Sequence, residues 1–422
     1  MLALLSLLPV VLLVLGVPIF LLLLTTSEVA LLFLRLPSTV VHQILYDALN
    51  KWPLLAVPFF IFAGDLMARG GISVRILRWV TSMIGTVRGS LPMTSLGLAA
   101  VFGAISGATS ASVAAVGSLT YPQMRKAGYS EKFAGALITA ENAIDNLIPP
   151  SLGFIIYGIA SETSVVQLFA AGIFPGLLMA GMFAGYIYLY ALRHGIRESQ
   201  SFSWSEFFIA TRDGLWAMGA IFIILGGIYS GVFSPTEAAG IACVYAILVT
   251  HFVYREVTLS QIFDIAARTM LLTGLIFIIV AAATLYAWLL TISGVAQVTA
   301  DFITGLHASP WVVLLIINVL LLFIGCVLDT ATALLVLAPL LLPAAKAIGV
   351  DPIHFGVIVV MNLTIGTFTP PFGINIFVFQ AMFGTPSSVL YPGLVPFIAV
   401  AIGALMIVTY VPAFSLWILQ FL

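Results

Sequence analysis

The sequence predicts an all-α integral membrane protein built on an inverted repeat, with two re-entrant helical hairpins and two discontinuous helices. Three observations lead there. Of the 422 residues, 62% are hydrophobic and only 7% charged, against about 25% charged in an ordinary soluble domain. So few charges cannot cover a water-exposed surface, and most of this surface must face lipid. Glycines and prolines recur in register at a single offset of 221 residues. A Pro-Pro pair interrupts a long apolar stretch in each copy.

The apolar runs set the elements. Residues 2–24, 214–236, 269–300 and 389–422 contain no charged residue, and a run of roughly 20 apolar residues spans a bilayer as a helix. The first run has no positively charged start and is too long for a signal-peptide core, so it predicts a transmembrane helix. Residues 25–52 are ambiguous, with room for a short interfacial or tilted helix. The division expected is an N-terminal membrane helix and interfacial segment (1–52), a first repeat (53–192), connecting scaffold helices (193–268) and a second repeat (269–422). Cys243 and Cys326 lie in apolar runs and suggest no disulfide framework. The scattered histidines suggest no metal cluster. The near-neutral charge balance gives no reason to expect a nucleic-acid partner.

Within the repeat, Pro122 matches Pro343, Gly128 matches Gly349 and Gly135 matches Gly356. Pro149-Pro150 matches Pro370-Pro371, Gly172 matches Gly393 and Pro175 matches Pro396. Glycine and proline dictate backbone shape, so a shared register implies a shared shape.

Charge distribution makes the repeat inverted. Arg69, Arg75, Arg78 and Arg88 precede the stretch 91–122, and Arg125, Lys126 and Lys132 follow it. Basic flanks are cytoplasmic by the positive-inside rule, so this stretch leaves and returns on one side. Gly103, Ser106, Gly107 and Ser110 lie near its middle and predict a loose tip. Residues 133–160, 165–192, 214–231, 237–254 and 269–293 then cross in turn. That odd number of crossings makes the second hairpin, 311–345, enter from the opposite face. Stretches near 53–68 and 269–293 lead into the two units.

Each hairpin is followed by a helix interrupted at its prolines, 133–160 and 353–383. Two prolines remove two N–H donors and clash with the preceding turn. The helix opens and frees carbonyls, which is tolerated in a bilayer only where backbone is buried in protein or lines a cavity. Broken helices, one per repeat, mark the solute and ion site of coupled transporters. The plain alternative is a pair of kinks that only shape the bundle. Asp145 lies in the first break, Glu141 one turn earlier and Asp329 at the second hairpin's tip. A charge at such depth costs about 2.5–3.5 kcal/mol on insertion scales. Asp329 is either a site residue or the cap of the helix that follows. Asp145 is a site residue or a structural one, and Glu141 could simply bond neighbouring helices. Ser234-Pro235-Thr236-Glu237 reads as a helix-capping box. Together these features predict a secondary transporter of small polar or anionic solutes. No nucleophile–base pair, metal cluster or phosphate loop suggests an enzyme, and two opposed hairpins favour alternating access over an open pore.

Several ordered motifs resemble a known family. They are Val57-Pro58-Phe59-Phe60-Ile61-Phe62-Ala63-Gly64 with Gly70-Gly71-Ile72, Gly103-Ala104-Ile105-Ser106-Gly107, and Ile148-Pro149-Pro150-Ser151 with Tyr157-Gly158. Next come Phe169-Ala170-Ala171-Gly172 with Pro175-Gly176, and Gly226-Gly227-Ile228-Tyr229-Ser230-Gly231 with the capping box. His354-Phe355-Gly356 and Thr369-Pro370-Pro371 with Gly373 and Asn375 complete the set. Over nearly its whole length the chain resembles the large membrane (permease) subunit of tripartite ATP-independent periplasmic (TRAP) transporters.

The resemblance implies a bacterial inner-membrane importer of small organic acids, of the carboxylate or sulfonate class, driven by Na⁺. It implies two partners, a small four-helix membrane subunit and a periplasmic substrate-binding protein. It also implies an elevator mechanism, in which a domain holding both hairpins slides against a static scaffold. At least two Na⁺ sites are expected. One involves Ser106 and the backbone near Asp145, Ile148 and Pro150; the other involves Leu328, Asp329, Gly366, Thr367 and Thr369. Substrate is expected near Ala108, Thr109, Ser151, Gly153 and Asp329. The chain departs from the family's pattern at Asp145, where Gly is common, at Glu141 and Asn142, where small residues are common, and at Ala108, where Ser is frequent. A stand-alone Na⁺- or H⁺-coupled carrier of di- or tricarboxylates with similar architecture is the alternative.

Overall fold

In lipid every backbone polar group must be satisfied within the protein, so apolar sequence of this kind folds as helices. The computed structural model describes residues 2–37, 39–84, 87–106, 109–196, 203–295, 297–298 and 309–422, without the side chains of 2–3, 104–106 and 109–111. Every regular element among the described residues is helical.

The N-terminal part departs from the single helix expected over 2–24. It forms α1 (Leu2–Val14) and α2 (Ile19–Leu34). Gly16 takes φ +77° and Pro18 stands at the N-cap of α2, so the chain turns between them. The ambiguous stretch that follows holds α3 (Thr39–Leu49). Next come α4 (Ala56–Arg69) and the amphipathic α5 (Ile72–Ile84). The first helix pair is α6 (Ser90–Ser106) and α7 (Thr109–Lys126).

α8 (Glu131–Glu141) starts at a Ser130 cap and passes into a 3₁₀ turn, Asn142–Asn146. The chain resumes as α9 (Leu152–Ser161) and α10 (Val165–Arg193). α11 (Trp204–Tyr229) and α12 (Pro235–Ile247) follow, and α12 opens with the expected Ser234/Glu237 capping box. α13 (Leu259–Ile292) starts earlier than the 269 expected, because Thr258 and Gln261 form a second capping box. The second helix pair is α14 (Pro310–Gly325) and α15 (Thr330–Ala347). α16 (Pro352–Gly366), α17 (Ile374–Phe383) and α18 (Ser387–Tyr410) follow.

Among the described residues, seven helical stretches are long and apolar enough to cross a membrane: Trp52–Arg69, Val165–Arg193, Trp204–Tyr229, Pro235–Val253, Leu259–Ile292, Thr330–Ala347 and Ser387–Tyr410. Their outer faces are apolar. Phe222 on α11 is 74% exposed and Leu271 on α13 is 73% exposed, a pattern that suits lipid contact and not water. By contrast α9 and α17 have 10 residues each. At 1.5 Å per residue such helices extend about 15 Å, half of a hydrocarbon core about 30 Å thick. Each is one half of an interrupted helix.

The two repeats exchange contacts in a matched way. α15 of the second helix pair packs on α9 of the first broken helix. α7 of the first pair packs on α17 of the second broken helix. Likewise α18 packs on α8, and α10 packs on α16. Repeat-related glycines make the approach close. A Cβ on Gly135 of α8 would lie 2.7 Å from Leu390 and 3.1 Å from Phe379, both in the second repeat. A Cβ on Gly356 of α16 would lie 2.4 Å from Tyr157 and 2.8 Å from Leu168, both in the first. Small residues at helix contacts let backbones approach, which is the main packing device within lipid.

Gly393 of α18 faces α8 so tightly that a Cβ would sit 2.3 Å from the Lys132 carbonyl oxygen. Backbone cannot move aside as a side chain does, so Gly393→Ala is expected to cost about 1–3 kcal/mol. It should lower the thermal unfolding midpoint in detergent. Gly181→Ala, with open space around its Cβ position, should not lower the midpoint and should raise it slightly, since alanine favours the helix over glycine.

Candidate functional site

The site is built from the two helix interruptions. In the first, the α8 helix tightens into the 3₁₀ turn, the Ile148 N–H still donates to the Ile144 carbonyl (3.0 Å), and the chain passes through a cis Pro149-Pro150 bond. Ser151 restarts the helix: its hydroxyl accepts from the Phe154 N–H (3.3 Å) and donates to the Asn146 carbonyl (2.5 Å). In the second, α16 ends at Gly366 and the chain passes through a cis Pro370-Pro371 bond. There the Asn375 N–H donates to the Thr367 carbonyl (2.9 Å) and the Thr369 N–H to the Gly366 carbonyl (3.0 Å). Each interruption thus carries its own local backbone bonds.

Each interruption is pressed against the first arm of its own helix pair. A Cβ on Gly103 of α6 would lie 2.5 Å from the Asp145 Cα, and one on Gly366 would lie 2.3 Å from the Gly325 carbonyl carbon of α14. Positions 145 and 366 are repeat-related at the offset of 221. Asp145 has room for a side chain because its neighbour in α6 is a glycine. The two interruptions also meet each other. The Asn146 carboxamide donates to Thr364 Oγ1 (3.3 Å), and the Asn375 carboxamide donates to the Thr139 carbonyl (3.3 Å). Gly153 at the start of α9 lies against Val360 of α16.

The expected residues thus fall into two groups. Asp145, Ile148, Pro150, Ser151 and Gly153 lie in or just after the first interruption. Gly366, Thr367 and Thr369 lie in the second, where Gly366 packs on Gly325 at the end of α14; Leu328 and Asp329 follow in the turn to α15. Ala108, with the side chains of Ser106 and Thr109, lies outside the described residues.

Asp329 does cap α15. Its carboxylate accepts from the Thr332 N–H (3.0 Å) and the Thr332 hydroxyl (2.6 Å), and the residue is half-buried. Thr367 and Thr369 spend their hydroxyl hydrogens on the Thr364 and Ile365 carbonyls (both 2.7 Å). Both hydroxyl oxygens keep lone pairs for a cation. The second group therefore suits a hard ion through oxygen lone pairs.

The first group differs. Glu141 and Asp145 are both fully buried. Glu141 Oε1 accepts from the Ser95 hydroxyl (2.6 Å), which also contacts Thr120 Oγ1 (2.8 Å) across the α6–α7 pair. Among the described residues neither oxygen of Asp145 has a hydrogen-bond partner, and no Lys or Arg is buried. Buried polar groups are nearly always partnered, and among the described residues these oxygens lack a hydrogen bond of ordinary geometry. A resident cation fits that donor set.

Sequence reasoning did not single out Ser95, Ser112 or Thr120, nor the chain in which Asn362 donates to Asn318 (2.8 Å) and Asn318 donates to Thr409 (3.1 Å). Their only advance signal is a polar side chain inside an uncharged apolar stretch.

A family model described as the DctM component of the tripartite ATP-independent periplasmic transporter matches residues 6–414. The chain belongs to this family. It is a multi-pass protein of the bacterial inner membrane, as expected of a TRAP permease. It is 39% identical to the ectoine/5-hydroxyectoine TRAP transporter large permease protein UehC of Ruegeria pomeroyi, covering 97% of this chain and 96% of that one. It is 38% identical to the C4-dicarboxylate TRAP transporter large permease protein DctM of Pseudomonas aeruginosa, over 88% and 87% of the two chains. In fold alone it resembles the YdaH transporter of Alcanivorax borkumensis, with a TM-score of 0.60 at 15% identity over 90% of this chain and 88% of that one.

Replacing Ser95 by Ala removes the hydroxyl at Glu141 Oε1 and leaves a buried carboxyl oxygen without its partner. Such a loss costs about 1–3 kcal/mol. The TRAP permease carrying Ser95→Ala should unfold at a lower temperature than wild type.

Proposed function

We propose that this TRAP permease is the membrane subunit of a Na⁺-coupled importer of a small organic acid of the carboxylate or sulfonate class. It receives the solute from a periplasmic binding protein and works with a small four-helix membrane subunit. The helix pairs α6–α7 and α14–α15 are read as re-entrant hairpins inserted from opposite faces. Solute lies between their tips, near Ala108, Thr109, Ser151, Gly153 and Asp329. An elevator movement carries both hairpins and both interruptions past the helices of 1–52 and 193–268.

The observation that carries this reading is the meeting of the two interrupted helices at the Asn146–Thr364 bond, each seated against its own helix pair. A site made from both repeats is accessible from either face in turn when the repeats are inverted. Ser106 and the backbone near Asp145, Ile148 and Pro150 would hold one Na⁺; Leu328, Asp329, Gly366, Thr367 and Thr369 would hold a second. When bound, Na⁺ offsets the buried negative charge and couples its own gradient to solute movement. The relatives named for ectoine and for C4-dicarboxylates are almost equally similar to this chain, so identity does not select the solute.

Uptake into proteoliposomes containing the permease and both partners should require an inward Na⁺ gradient. Equal uptake without Na⁺ overturns the coupling. Asp329→Asn retains a good helix-capping side chain and should stay folded with an unchanged unfolding midpoint. The same variant should abolish uptake; wild-type uptake removes Asp329 from the site.

A further inference from the structure

One turn before each break, a polar side chain reaches the first arm of its own helix pair. The two positions, 141 and 362, are repeat-related at the offset of 221. Glu141 Oε1 accepts from the Ser95 hydroxyl of α6 (2.6 Å). The Asn362 carboxamide donates to Asn318 Oδ1 of α14 (2.8 Å). All four side chains are fully buried. Different groups thus make one connection at the same place in both repeats. Further along, each arm touches its break through a glycine, Gly103 on Asp145 and Gly325 on Gly366. Both contacts of each pair advance in the same chain direction, so arm and broken helix meet at two levels. Each arm is also held from a third helix: Ser95 contacts Thr120 of α7 (2.8 Å), and Asn318 donates to Thr409 of α18 (3.1 Å).

The two levels constrain different things. A glycine contact sets how close two backbones lie, but it offers a smooth surface along which an arm can slip. A hydrogen bond weakens steeply when its geometry is disturbed, and burial makes its loss costly. The side-chain bond therefore fixes how far along the broken helix each arm sits. Beyond Ser95, α6 leads to Ser106; beyond Asn318, α14 leads to Leu328 and Asp329. Those tip residues and the breaks supply the two sides of each proposed Na⁺ site. We infer that Glu141 and Asn362 are positioning residues: each bonds the first arm of its own hairpin and so sets the register in which tip and break share an ion. This rests on the proposed Na⁺ coupling and deepens it, and neither residue is itself a ligand. Plain helix packing by the same bonds would support the fold and leave Na⁺ affinity untouched, which separates the two roles.

The test is the Na⁺ dependence of uptake, at saturating solute, into proteoliposomes containing the permease and both partners. Glu141→Leu and Asn362→Leu each remove one bond. Each should raise the half-saturating Na⁺ concentration by about 10-fold, while the maximal rate at high Na⁺ stays close to wild type. Glu141→Gln keeps an oxygen for Ser95 and should restore the wild-type value. Ser95→Ala combined with Glu141→Leu should shift no further than Glu141→Leu alone, because both remove the same bond. Unfolding midpoints establish that each variant is folded. Ser95→Ala replaces Glu141→Leu, and Asn318→Ser replaces Asn362→Leu, should either fail to fold. An unchanged half-saturating Na⁺ concentration in folded variants with lowered midpoints overturns the inference and leaves plain helix packing. Failure of Glu141→Gln to restore the value also overturns it, since the charge and not the bond then matters. Wild-type uptake that needs no Na⁺ defeats the coupling itself, and this inference with it.

Discussion

Close approach of helices across the two repeats is the contact on which the rest depends. Within lipid there is little hydrophobic gain in bringing two apolar helices together, so packing and backbone proximity must hold them. Gly135 admits Phe379 and Leu390 from the second repeat, and Gly356 admits Tyr157 and Leu168 from the first. Gly393 brings α18 onto the Lys132 carbonyl. These contacts are reciprocal, so neither broken helix is seated without the other repeat. The half-length helices α9 and α17, too short to span alone, are held by the helix pair of the opposite repeat.

That interlock explains how irregular backbone survives in the interior. Opening a helix in a bilayer exposes groups that have no water to bond. Here the turns rebond locally, through Ser151 to Asn146 and through Asn375 to Thr367, and across the repeats through Asn146 to Thr364. What is left over is informative. The hydroxyls of Thr367 and Thr369 and the carboxylate of Asp329 are satisfied locally with lone pairs to spare, whereas among the described residues the Asp145 carboxylate has no hydrogen bond of ordinary geometry. The two interruptions are therefore chemically unequal, with a carboxylate at position 145 where the second repeat has Gly366.

Much of the architecture was legible in advance because proline and glycine act on the backbone itself. Pro149-Pro150 and Pro370-Pro371 mark both interruptions, and Ser234 with Glu237 marks the start of α12, since caps and breaks are local events. The split of the N-terminal stretch at Gly16 and Pro18 was hidden by unbroken hydrophobicity, which reports burial in lipid and not chain direction. The start of α13 before 269 was missed because the apolar run was taken to begin after the last charge, whereas the Thr258/Gln261 box starts the helix at Leu259 and carries it through Asp264 and Arg268.

By itself the sequence determined a lipid-embedded helical chain, its two copies and the location of both breaks. Composition, spacing and local backbone chemistry are sufficient for each of these. Only the tertiary structure decided which residues meet. Ser95 finds Glu141 from 46 positions away, and Asn146 finds Thr364 from 218 positions away. Gly103 makes the space that a carboxylate at position 145 occupies. Such pairings depend on how helices cross, and nothing in the local sequence of either partner encodes the other.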